Sequence, residues 1–81
     1  METEIKEKIK VVCLFENGQI KPLIFAWEKR IYKILQVAFA YSKNIGRDKI
    51  FYFSVECKEG AFEISFNREK FWWEITKIFN D

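Results

Sequence analysis

The stretch Lys49-Ile50-Phe51-Tyr52-Phe53-Ser54-Val55-Glu56-Cys57-Lys58-Glu59-Gly60-Ala61-Phe62-Glu63-Ile64-Ser65-Phe66-Asn67 decides the fold. Phe51, Phe53, Val55 and Cys57 share one face of an extended chain, and Tyr52, Ser54 and Glu56 share the other. The pattern then repeats: Phe62, Ile64 and Phe66 point one way, Glu63 and Ser65 the other. Two half-buried strands joined tightly at Glu59-Gly60 form a β-hairpin.

Upstream, Asn17-Gly18 separates two apolar runs. A type I′ turn needs positive φ at both central positions, which these residues tolerate, so residues 9–16 and 19–27 pair antiparallel. Further turns fall at Glu28-Lys29-Arg30 and within Asn44-Ile45-Gly46-Arg47-Asp48. Ile31 to Ser42 and Phe71 to Phe79 fit helical spacing as well as strand alternation. Their β-branched and aromatic content, and the lack of an N-cap with an acidic first turn, favour strands. The expected fold is all-β: a single small antiparallel barrel, or a strongly twisted sheet, of about six strands. Its expected core is Val11, Cys13, Phe15, Phe25, Tyr32, Ile34, Phe51, Phe53, Val55, Phe62, Ile64 and Phe66. Residues 1–8 are expected to be a charged N-terminal arm, and residues 9–81 one domain.

Composition agrees with one compact unit. Of 81 residues, 49% are hydrophobic and 19% aromatic, with nine Phe, three Trp and three Tyr to fill a core. Fourteen Lys and Arg against twelve Asp and Glu leave a formal charge of +2, with the signs interleaved. That balance lacks the basic stripe of a protein that grips phosphates. Met1 to Lys10 alternates Glu and Lys without an apolar run, so neither a secretory signal nor a membrane anchor is expected there, and no later stretch is long and apolar enough to span a bilayer. A cytoplasmic location follows as the expectation, with Cys13 and Cys57 as reduced, buried thiols whose spacing matches no metal or redox motif.

The segment Pro22-Leu23-Ile24-Phe25-Ala26-Trp27-Glu28-Lys29-Arg30-Ile31-Tyr32-Lys33-Ile34, followed by Phe51-Tyr52-Phe53, Gly60, Phe62-Glu63-Ile64 and Phe71-Trp72-Trp73, resembles an uncharacterised family of short bacterial all-β proteins. It is also similar to a small carboxy-terminal domain in some bacterial homologues of Y-family DNA polymerases. The resemblance spans roughly residues 11–80. It implies strands for the two ambiguous segments and carries no activity to transfer.

Absent histidine removes the usual general base and the commonest metal ligand. Ser42, Ser54, Ser65 and the thiols have no base at a recognisable spacing, and no Gly-rich phosphate loop occurs. No catalysis, metal or cofactor is expected. Glu56 and Glu63, outward on neighbouring strands, read as solvated surface charges.

Candidate binding residues are Trp27, Arg30, Tyr52, Trp72 and Trp73. Trp27, Arg30 and Tyr32 flank one turn and offer a π surface beside a guanidinium. The competing arrangement lays Arg30 over Trp27 and turns Tyr32 inward. Trp72 and Trp73 are strand neighbours, so their rings point to opposite faces and only one enters the core. The reading is an interaction module that binds a protein partner or a second copy of itself through sheet edges and an exposed aromatic patch. The alternative is a nucleic-acid-binding barrel in which Tyr52, Trp72 or Trp73 stack bases and Arg30, Lys33, Lys49 and Arg68 meet phosphates. No membrane partner is expected.

Overall fold

The computed structural model describes residues 1–80. Asp81, counted in the expected domain, lies outside the described residues. Six antiparallel strands follow in chain order: β1 (Glu2–Glu16), β2 (Gln19–Trp27), β3 (Arg30–Ile45), β4 (Asp48–Cys57), β5 (Gly60–Asn67) and β6 (Trp72–Phe79). Each pairs with its sequence neighbours, and β1 closes the barrel on β6. Both segments of ambiguous period are strand, and no helix occurs among the described residues, so none is long and apolar enough to cross a membrane.

Two-residue turns connect the first five strands. Asn17 and Gly18 both have positive φ (52° and 73°), the type I′ pattern their sequence calls for. Glu28 and Lys29 adopt the same pattern (52° and 64°) without a glycine or asparagine. The loop after β4 is Lys58-Glu59, one residue before the expected Glu59-Gly60, because Cys57 pairs directly with Gly60.

Two strands are shared between neighbours. β1 pairs with β6 from Glu2 to Ile9 and with β2 from Lys10 to Glu16. β3 pairs with β2 only from Arg30 to Lys33 and with β4 from Ile34 to Ile45. Residues 2–8, expected as an arm outside the domain, are therefore barrel wall. Bulges at Leu35 and Ala38, each an extra residue on β3, bend that strand so that it follows β4.

The interior is filled by rings and branched chains. Phe25 stacks on Tyr32 with centroids 4.8 Å apart, and Phe62 meets both edge-on, geometries that aromatic quadrupoles favour. Phe53, Val55, Ile64 and Phe66 complete the expected part of the core, joined by Cys57, Trp73 and Ile75. Val11, Cys13, Ile34 and Phe51 are only half-buried. Phe15 departs from expectation at 57% exposed. It sits at the β1–β2 hairpin tip, where no strand crosses over it, and rests edge-on against Phe66.

Candidate functional site

Beyond the four pairs Ile24–Lys33 to Trp27–Arg30, β2 stays with β1 while β3 stays with β4. The wall parts between them. Register puts Val37, Ala40 and Ser42 of β3 on the interior side, opposite Val55, Phe53 and Phe51. Ala40 and Ser42 are too small to fill the gap. The result is a half-open cavity of about 820 Å³ lined chiefly by Ile20, Leu35, Val37, Ala40, Phe51 and Phe53, with Lys21 the one charged side chain on its lining. This volume lies within the range of small-ligand and anchor-residue pockets.

The edges flanking this opening are poor templates for an added strand. β2 carries Pro22, which has no N–H, and an extra residue at Leu23, while β3 carries its two bulges. Such irregularities are the devices by which proteins blunt strand edges.

Around the hairpin tip the apolar surface continues to Phe15 and Phe71, which flank buried Phe66 at centroid distances of 6.3 and 5.4 Å. Phe71 is 74% exposed and has φ 60°. A bulky L-residue there costs roughly 1–2 kcal/mol. The turn around it is tied down: Asn67 Oδ1 accepts from the Glu69 and Lys70 amides, and Asn67 Nδ2 donates to Asp48. The Lys49 amide donates to Glu69, whose carboxyl is held below its ordinary range by that bond first and by Arg68 second. A strained backbone thereby holds an aromatic ring in solvent.

The five residues singled out from sequence do not form one site. Trp27 is half-buried at one end of the barrel, where its indole N–H donates to Glu7 at 3.0 Å. Arg30 is exposed, and no cation–π contact joins it to Trp27; Tyr32 does turn inward. Tyr52 lies on the outer face of β4, stacked on Tyr41 at 4.8 Å. Trp73 is core, against Phe53 and Phe66. Trp72 faces outward, 37% exposed, with Lys8 Nζ 4.0 Å and Lys70 Nζ 5.6 Å from its ring. Lysine stems on both sides partly cover that ring. The opening was not legible in the sequence because it depends on the bulges at Leu35 and Ala38, which an alternation pattern does not show.

A second concavity of about 370 Å³ lies on the outer face of the β4–β5–β6 sheet, between the start of β1 and the end of β3. Its floor holds Glu63, only 4% exposed. The reading of Glu63 as a solvated surface charge fails because the curled ends of the two longest strands wall it in. Tyr41 OH donates to Glu63 Oε2 at 2.9 Å, and Thr76, the bulged residue of β6, donates to Oε1 at 2.7 Å. Burial, aided by Glu63, pushes the Tyr41 phenol up to about 12. Glu56 stays exposed and accepts from Gln36. Both thiols are free, and burial raises them, Cys57 to about 11, so they are protonated and poorly nucleophilic near neutral pH.

No family model, curated protein or solved structure matches the chain.

Proposed function

We propose that this barrel is a non-catalytic interaction module that receives apolar side chains of a protein partner in the opening between β2 and β3, with Phe15 and Phe71 as its rim. The observation that carries this reading is the short β2–β3 ladder, which leaves apolar interior surface facing solvent. A gap lined by aliphatic and aromatic groups, with one cation at its edge, matches the pockets that accept buried anchor residues. The strained Phe71 supports the same reading, since strain retained at an exposed ring is typical of binding sites. Free, high-pKa thiols fit a protein of the reducing cytoplasm.

The test is capture of the tagged protein's partners from its native lysate, with and without nuclease, using wild type, Ala40→Arg and Phe71→Asn. Ala40→Arg fills the mouth and is expected to weaken capture at least ~30-fold. Phe71→Asn is expected to weaken capture while holding or raising the melting temperature, because asparagine tolerates the left-handed backbone. Unchanged capture by both variants overturns the reading.

Nucleic-acid binding is the second reading, favoured by the lysines over Trp72 and by Lys49 over Phe51 at 5.5 Å. Arg68 and Lys70, however, are already paired with Glu69 and Asp48. Under this reading the protein binds single-stranded oligonucleotides, affinity falls steeply with salt, and Trp72→Ser abolishes it.

A further inference from the structure

β2 is apolar on both faces. Phe25 and Trp27 point into the barrel, and Ile24 and Ala26 alternate with them toward solvent. Their outward neighbours are apolar too: Val12 beside Ile24, and Ile31 beside Ala26, at 57% and 63% exposure, with Leu14 beyond Val12. Val12, Ile24, Ala26 and Ile31 surround a shallow depression of about 120 Å³. A strand with apolar residues on both faces belongs to a sheet covered on both sides. Nothing among the described residues covers the outer side of β1–β2–β3.

The charges around the aliphatic centre of that face have one sign. Lys10, Lys21 and Lys33 occupy outward positions around the aliphatic centre and form no ion pair among the described residues. The one carboxylate among those outward positions is Glu16, at the hairpin tip. A second copy stacked face to face would oppose lysine to lysine. A nucleic acid would find phosphate partners but no ring to stack on.

We infer that the outer face of β1–β2–β3 docks an acidic amphipathic helix of a partner protein, its apolar stripe on Val12, Ile24 and Ile31 and its flanking carboxylates against Lys10, Lys21 and Lys33. The dimensions agree. A helix is ~10–12 Å across, and three strands at ~4.8 Å spacing present a surface of that width over the rows from Lys10 to Val12, which β1 and β2 alone continue to Leu14. The rows from Lys10 to Leu14 run ~13 Å at strand rise, about two to three helical turns. This surface goes beyond the opening and shares only Lys21 with it.

The test uses pure protein and a displayed library of helical peptides. Their aliphatic stripe is fixed at i, i+3, i+4 and i+7, and the flanking positions are randomised over Glu, Lys and Ser. The expected result is selection of Glu at the flanks. Binding of the selected peptide should fall at least ~10-fold in Ile31→Asp, and equally in Lys10→Glu/Lys33→Glu. It should also weaken with added salt as the lysines are screened. The double lysine variant leaves the aliphatic centre intact, so the test survives if Ile31→Asp fails to fold. Selection of neutral or basic flanks, no selected binder, or binding indifferent to the lysine variant overturns the inference. So does binding of phosphatidylglycerol vesicles or a single-stranded oligonucleotide that Ile31→Asp abolishes.

Discussion

At Glu28 and Lys29 the chain makes a type I′ turn with residues that resist it, and at Phe71 an aromatic ring stands where asparagine or glycine is at ease. The two sites differ in meaning. The Glu28-Lys29 loop touches neither proposed surface, so Glu28→Asn with Lys29→Gly is expected to stabilise the barrel by about 1 kcal/mol. That corresponds to a melting-temperature rise of about 4–8 °C, readable by thermal denaturation. Phe71→Asn should gain similarly while weakening partner capture, a stability–function trade-off. Tyr41 adds a pH signature. Its phenol ionises at about 12 when folded against an ordinary 10.0. Below the ordinary value the folded and unfolded chains are both protonated and its contribution is complete. Above it the unfolded chain loses its proton first, so stability declines as pH climbs through this window. Tyr52 and Cys57 shift in the same direction. Urea midpoints at neutral pH and at about pH 11 are expected to converge in Tyr41→Phe/Cys57→Ala relative to wild type. Tyr41→Phe alone should cost about 1–3 kcal/mol at neutral pH, because Glu63 loses a donor in a buried setting.

Alternation made β4 and β5 legible, and Asn17-Gly18 fixed the first hairpin, because period and turn chemistry are local properties. The neighbouring Trp72 and Trp73 were legible for the same reason: one ring is core and the other outer surface. Trp73→Ala is expected to cost about 3–5 kcal/mol, whereas Trp72→Ser loses chiefly the Lys8 contact, about 0.5–1 kcal/mol. Denaturant titration of the two variants separates them, and equal losses would show that the face assignment fails. Partner switching by β1 and β3 was not legible. In β3 it accompanies bulges at Leu35 and Ala38, and in β1 a register shift between Glu4 and Glu7, which leave composition unchanged and merely change which residues oppose each other. Phe15 was assigned to the core and Glu63 to solvent because alternation gives the face of a residue, but neither the uncovered hairpin tip at Phe15 nor the curled strand ends that wall in Glu63.

On the scale of the whole molecule, closure removes most strand edges, and the apolar surface that stays exposed includes two faces: the opening with its aromatic rim, and the lysine-bordered outer face of β1–β2–β3. The first carries the proposed function, the second the proposed helix partner. Phe53 links the opening to the core, since it packs on Trp73 and also lines the opening. Phe53→Ala should destabilise by about 3–5 kcal/mol and enlarge the cavity. Whether the wall is open between β2 and β3 is read by native-state hydrogen exchange of the free protein. An open wall gives weak protection of the edge amides in 19–23 and 34–41 that lack a strand partner, against protection near the global limit in 62–66 and 73–75. Strong protection running continuously across β2 and β3 would mean a sealed barrel and would contradict it.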